Sequence, residues 1–327
     1  MCTSLTYKDA NSNWFLARTM DFGFELGGRP VVIPRQHHFT SDATTTGFDT
    51  RYGFVGAGRN LNGYILVDGV NEKGVGAAAL YFTESVYAAQ PQNGATNLAS
   101  HEVLNWILGN VASIADLKEK FANVNILAVP NSLLKIVVPL HWIVADSTGA
   151  SVVIEQQATG VKITDNPVGV MTNSPDFDWH LKNLNNYVQL NPGLHSDKPY
   201  GEFTANSFGA GTGALGLPGD YTSVSRFIRT AFTRQYTEVA ANTGAAINTL
   251  SHILNNVEIP RGVKIQADGD FDYTQYRGYM SLAEPTFYMQ PYADQTITQV
   301  KLTEKLLNSA APVEFPLQTQ QQFHEVN

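Results

Sequence analysis

The stretch Met1-Cys2-Thr3-Ser4-Leu5-Thr6-Tyr7, followed after the polar residues Lys8 to Asn13 by Trp14-Phe15-Leu16-Ala17-Arg18-Thr19-Met20-Asp21-Phe22, decides the fold. Two strand-forming runs flank a short polar turn, so the chain opens as a β-hairpin at its first residues. Its second residue is also its only cysteine. No intramolecular disulfide and no multi-cysteine zinc site can therefore form, and the sulfur has either packing or chemistry as its role.

Strand patterns continue at Val31 to Pro34, Tyr52 to Ala57 and Gly63 to Val67. The turn signals Asp68-Gly69 and Asn71-Glu72-Lys73-Gly74 then precede Val75 to Phe82. Apolar residues at helical spacing predict helices over Asn97 to Leu108 and Ser113 to Ala122, with Ser113 as N-cap and Asp116 three residues on. Strands return at His141 to Asp146, Ser151 to Gln156, Val161 to Thr164 and Gly169 to Met171, and a helix follows over Asp176 to Tyr187. Helices over Val224 to Val239 and Ala245 to Val257 precede closing strands at Tyr273 to Leu282, Thr286 to Gln290 and Thr296 to Leu302. Strands at both ends with helices among them predict one α+β domain over residues 1–327, its antiparallel sheets covered by helices.

A hydrophobic content of 43% over 327 residues suffices for a large core. The net charge of -8, without any Lys or Arg cluster, argues against nucleic acid as a partner. The most apolar window, Leu133 to Ala145, is interrupted by Lys135, Pro139 and His141 and falls short of the ~20 residues a membrane span requires. Thr3, Ser4, Tyr7, Lys8 and Asp9 break any signal-peptide pattern, which predicts a cytoplasmic protein with no membrane partner.

Three motifs lose their meaning in context. Gly211-Thr212-Gly213-Ala214-Leu215-Gly216 has the dinucleotide spacing, but more glycine precedes it and Pro218-Gly219-Asp220 follows where a helix should begin. Asp268, Asp270 and Asp272 alternate as in a calcium loop, yet Tyr273 stands where glycine is needed and Tyr279 where the bidentate Glu belongs, so the segment reads as a solvated turn. His37-His38 lacks the helix-face spacing of a zinc motif. No metal and no cofactor is expected.

Cys2 gains interest from its position. A small residue after the initiator methionine permits removal of Met1, which leaves thiol and free α-amine on one residue. Their reference pKa values, ~8.5 and ~7.7 to 8.0, make proton transfer from sulfur to nitrogen cost on the order of 1 kcal/mol or less. Such a residue carries its own general base. With Met1 retained the nitrogen is a peptide amide and cannot accept the proton.

Cys2-Thr3-Ser4-Leu5 with Ala17-Arg18-Thr19-Met20-Asp21-Phe22 resembles the start of the choloylglycine hydrolase family, and within it looks most like penicillin V acylases. Asp68 to Gly74, Gly169-Val170-Met171-Thr172-Asn173-Ser174-Pro175, and Gly216-Leu217-Pro218-Gly219-Asp220 with Ser225-Arg226-Phe227 extend the likeness across the chain. The resemblance implies the four-layer αββα sandwich of N-terminal nucleophile hydrolases, assembled as a homotetramer. It also implies roles: Cys2 attacks the amide carbonyl, Asp21 holds the α-amine, and Arg18 favours negative charge on the sulfur. The Asn173 side chain and the Tyr81 backbone N–H donate to the oxyanion, and Arg226 adds positive charge near the thiolate. Met20, Phe22, Tyr81, Leu134 and Val137 are the candidates for the substrate pocket. Taken singly, Arg18 and Asp21 read as well as a structural ion pair, Asn173 as a turn residue and Arg226 as a solvated helix residue; joined to a residue-2 cysteine they read as a site.

The expected substrate is a small-molecule amide. Family members acting on bile salts commonly carry asparagine at the position of Tyr81 and penicillin V acylases carry tyrosine, which points first to penicillin V acylase activity. Conjugated bile salt hydrolysis, cleavage of N-acyl signalling amides and a catalytically silent binding protein on the same fold are the alternatives.

Overall fold

The computed structural model describes residues 1–327 except Asn62 and Leu133. The strands Cys2–Lys8 and Trp14–Phe22 pair antiparallel, with Cys2 opposite Met20 and Ser4 opposite Arg18. Residues opposite each other share a face and neighbours alternate. Cys2, Arg18 and Met20 therefore project from one side of the hairpin, and Thr3, Thr19 and Asp21 from the other.

The hairpin lies in a six-stranded sheet ordered Val170–Met171, Cys2–Lys8, Trp14–Phe22, Tyr273–Ser281, Thr286–Pro291, Thr298–Lys301. A nine-stranded sheet faces it, with Leu140–Ala145, Gly76–Tyr81 and Asp68–Asn71 near its middle. Helices Ser223–Tyr236 and Thr243–Asn255 cover the first sheet, and Val103–Asn110 and Ile114–Phe121 the second. One core joins Leu16 and Ile143 between the sheets to Leu5, Phe227 and Leu250 on the helix side of the first sheet. The other places Trp142 and Val144 against Leu104, Ile107 and Leu117. Ile143 serves one core and its neighbours the other, as period-two alternation requires of a strand buried on both faces. The architecture is the α+β, four-layer αββα sandwich. Among the described residues no helix is long and apolar enough to cross a membrane.

Two segments differ from their expected form. Asp68-Gly69 is not a turn: Asp68–Asn71 is a fully buried strand, and the turn begins at Glu72. A Cβ on Gly56 would stand 1.9 Å from the Asp68 carbonyl oxygen, so glycine serves close approach between strands here rather than chain reversal. The helix expected from Asn97 starts only at Val103, because Thr96–Ala99 forms a parallel ladder with Val124–Leu127. Ser113 caps Ile114–Phe121 as expected, accepting from the Asp116 N–H at 3.1 Å.

Candidate active site

Strand alternation sorts the site into two faces. On the side between the sheets, Arg18 Nη2 lies 2.8 Å from Cys2 Sγ, and Arg18 Nη1 donates to Asp68 Oδ2 at 3.0 Å. Tyr276 donates its hydroxyl to the same Asp68 oxygen at 2.6 Å, and Asp68 Oδ1 accepts from the Ala57 N–H at 3.1 Å. Burial alone would lower the Arg18 pKa, but the attraction of Cys2, Tyr276 and Asp68 raises it above its ordinary value. A guanidinium donates and never accepts, so Arg18 presents only N–H groups to the sulfur. The alternative of an Arg18–Asp21 ion pair does not hold: Asp68, read from sequence as part of a turn, is the partner that fixes Arg18.

On the side facing helix Ser223–Tyr236, Arg226 Nη1 donates to the Cys2 carbonyl at 2.6 Å and to Thr3 Oγ1, and Nη2 donates to Asn173 Oδ1 at 2.8 Å. Arg226 is 0% exposed, which overturns its reading as a solvated helix residue. Its contact with Cys2 runs to the backbone rather than to sulfur. Asp220 sets the start of this helix through Ser225 and Thr222, whose hydrogen bonds hold its carboxyl down at about 2.

Asn173 joins the two faces. It follows the short strand Val170–Met171, which pairs with Cys2–Lys8 through Ser4 and Met171. Its Oδ1 accepts from the Cys2 backbone nitrogen at 2.7 Å, and Nδ2 donates to the Tyr81 carbonyl at 2.8 Å. One N–H of the amide remains for a ligand. Tyr81 meets Asn173 through its carbonyl and is also one of the residues that line the cavity at Cys2.

Asp21 accepts from Thr274 at 2.6 Å and Thr19 at 3.1 Å, with Arg226 Nη1 3.9 Å away. Burial raises its pKa and Arg226 opposes the shift. With Met1 in place, the α-ammonium donates to the Asp21 carbonyl and pairs with Asp272 at 3.6 Å. Asp272 is buried, also held by Lys264 at 2.8 Å, and not part of a solvated turn.

A cavity opens at Cys2, walled by Met20, Phe22, Leu61, Ile65, Tyr81, Leu134, Val138 and Leu140. Val138 takes the place expected for Val137, and Leu133 falls outside the described residues. Near its far side Asp42, His101 and Glu102 cluster in a way that could hold a metal ion. Asp42 Oδ2 already meets His101 and the Ser132 N–H, and both Glu102 oxygens accept, from Ser41 and from the Asp42 and Ala99 N–H groups.

Behind Asn173, His180 donates from Nε2 to the Asn173 carbonyl at 2.8 Å, and burial lowers its pKa from 6.5 to about 4. The unfolded imidazole binds a proton that the folded one refuses, so this contribution to stability is complete above pH 6.5 and lost as pH falls to about 4. The gap is worth roughly 3 kcal/mol at most. Urea titrations at pH 7 and pH 4 should show the wild type losing more stability than His180→Gln by an amount of this order; equal losses would contradict it.

The chain is similar to known proteins over most of its length. A family model of linear amide C–N hydrolases, choloylglycine hydrolase family, matches residues 2–315. The bile salt hydrolase/transferase of Clostridium perfringens (strain 13 / Type A) is 35% identical over 312 residues, covering 94% of each chain. A conjugated bile acid hydrolase structure from Clostridium perfringens superposes with a TM-score of 0.92 at 32% identity, covering 100% of both chains. Penicillin V acylase from Agrobacterium tumefaciens shares the fold at a TM-score of 0.75 and 22% identity, covering 95% of this chain and 90% of its own. The likeness is thus stronger to the bile acid enzymes than Tyr81 alone suggested. A cysteine that lines an apolar cavity is flanked by two buried arginines and an asparagine amide, and the family match spans nearly the whole chain; the protein belongs to the choloylglycine hydrolase family and is a linear amide C–N hydrolase.

Proposed function

We propose that the protein hydrolyses conjugated bile salts, with Cys2 as nucleophile after Met1 is removed. The observation that carries this reading is the apolar lining of the cavity at Cys2, which runs from Phe22 through Ile65 and Leu134 to Leu140. A steroid nucleus has more apolar surface to bury against such a lining than a phenoxyacetyl group has. The similarity to the bile acid enzymes supports the same choice.

The steps follow from the groups in place. The Cys2 thiol passes its proton to the α-amine, whose nitrogen sits where Asn173 Oδ1 now holds the peptide N–H. The thiolate, opposite Arg18, attacks the amide carbonyl, and the remaining Asn173 N–H donates to the oxyanion. As the C–N bond breaks, the α-ammonium returns its proton to the leaving nitrogen. Water then gives a proton to the α-amine, attacks the thioester and releases the acid, which restores the thiol. Asp21, through its charge beside the amine and Arg226, steadies the protonated form.

A free-thiol nucleophile suits a reducing, cytoplasmic setting. Homotetramer formation belongs to the same proposal, supported by the exposed hairpin Lys198–Tyr200 and Phe203–Ala205, which presents Tyr200 and Phe203 to solvent. Pocket contacts of this kind discriminate by ~1 to 3 kcal/mol, so kcat/KM for glycocholate or taurocholate should exceed that for penicillin V by about 10-fold or more. Side-by-side kinetics test it. If penicillin V is cleaved as well as either conjugate, the Tyr81 reading replaces this one.

A further inference from the structure

Three consecutive backbone carbonyls around Asn173 point away from any strand partner, and each meets a side chain from a different element. His141, on Leu140–Ala145 of the facing sheet, approaches the Thr172 carbonyl with Nε2 at 2.8 Å. His180, on helix Phe177–Asn183, holds the Asn173 carbonyl at 2.8 Å. Ser223, the first residue of helix Ser223–Tyr236, donates to the Ser174 carbonyl, and its own carbonyl accepts from Thr172 Oγ1 at 3.0 Å. Thr172, Asn173, His141 and His180 are all buried, so the first two carbonyls depend on these histidines rather than on bulk water.

The geometry points to His141, with Glu155 behind it, as a positioning residue that acts through Asn173: it fixes the backbone from which the Asn173 amide reaches Cys2, Arg226 and the oxyanion. This rests on the proposed Cys2 mechanism. The hydrogen-bond inventory explains why histidine is needed. His141 Nε2 faces a carbonyl, which only accepts, while Nδ1 faces Glu155 Oε1 at 3.2 Å. Both contacts are satisfied only when ring and carboxyl together hold two protons, as imidazolium with carboxylate or as imidazole with carboxylic acid. With one proton fewer, a lone pair must face a lone pair either at Thr172 or at Glu155. Glu155 is itself fixed by the Phe177 N–H at 3.1 Å, and the His141 ring stacks on Phe82 with centroids 4.6 Å apart. Glu155 therefore orients His141, His141 holds Thr172, and the neighbouring amide is presented at one angle. An oxyanion donor loses its value when it drifts by a fraction of an ångström, so the consequence falls on turnover rather than on substrate binding.

The test is a double-mutant cycle on whichever amide the wild type cleaves fastest among glycocholate, taurocholate and penicillin V. His141→Phe keeps the stacking surface but removes both ring nitrogens. It is expected to lower kcat about 20-fold with KM changed by less than about twofold, the signature of an interaction made in the transition state. In an Asn173→Ala background the same substitution should cost less than about twofold, because the group it positions is gone. A purely structural role would cost the same factor in both backgrounds, and that additivity would overturn the inference.

Should His141→Phe fail to fold, Glu155 carries the test. Glu155→Gln can donate to His141 Nδ1, accept from the Phe177 N–H and leave Nε2–H on Thr172, so it should recover most of the turnover that Glu155→Leu loses. Equal impairment of the two Glu155 variants would also overturn the inference. The underlying mechanism fails in a different way: if Cys2→Ala keeps the activity, the nucleophile is wrong, whereas Cys2-dependent turnover that ignores His141 and Glu155 removes only the positioning role.

Discussion

Purified Cys2→Ala is expected to hydrolyse no conjugated bile salt above background, and Cys2→Ser to keep less than about 10⁻³ of wild-type turnover, with both proteins folded as the wild type. The sulfur is buried among Arg18, Met20 and the Asp21 carbonyl and makes no hydrogen bond on which a strand or helix depends. Its loss should therefore leave the hairpin intact, since Cys2 still pairs with Met20 through the backbone. Serine keeps the position but ionises far less readily, and the nearby guanidinium cannot make up that difference. The same mechanism requires that active wild-type protein lack Met1, because in the unprocessed chain the Cys2 nitrogen is an amide donating to Asn173 and its lone pair is unavailable. Intact mass read beside specific activity checks this. Full activity from chains that retain Met1, or measurable turnover by Cys2→Ala, would exclude the N-terminal nucleophile.

Much of this site was legible in the sequence because its first elements are local. A hairpin that begins at Cys2 fixes by register which of Arg18, Met20 and Asp21 share a face with the sulfur. The resemblance supplied Asn173 and Arg226 at a distance. What stayed hidden is the layer that orients these groups. Asp68 lies in an Asp-Gly pair, the commonest of turn signals, and only the approach of two sheets reveals it as the partner of Arg18. His141, Glu155 and His180 looked like scattered polar residues, because the carbonyls and carboxylate they meet come from other strands and helices. Asp272 followed the same logic in reverse: two exposed neighbours, Asp268 and Asp270, suggested solvent, but only the third aspartate turns inward. For the substrate, weight placed on one wall residue pointed to penicillin V, while the similarity is stronger to the bile acid enzymes. Tyr81 does line the cavity, but so do residues from Phe22 to Leu140.

Asn173→Ala should lower kcat on the order of 10³-fold, at the upper end of what loss of one oxyanion donor costs, and change KM much less. The reason for the upper end is that one side chain holds three partners. Its Oδ1 accepts from both the Cys2 nitrogen and Arg226 Nη2, and its Nδ2 donates to the Tyr81 carbonyl while one N–H remains for the oxyanion. Alanine deletes the oxyanion donor, frees the nucleophile's nitrogen to rotate, and leaves Arg226 with one acceptor fewer in a site where burial already lowers its pKa. The last effect falls on stability, since a buried donor without its partner costs ~1 to 3 kcal/mol. Asn173→Asp separates the two roles: it keeps an acceptor for Cys2 and Arg226 but has no N–H to offer the oxyanion. If donation dominates, Asn173→Asp should be as slow as Asn173→Ala yet nearer to the wild type in thermal stability. If holding the amine dominates, Asn173→Asp should recover most of the lost turnover. Near-wild-type kcat in Asn173→Ala would remove this residue from the mechanism, and with it the reason for three buried side chains to hold the carbonyls around it.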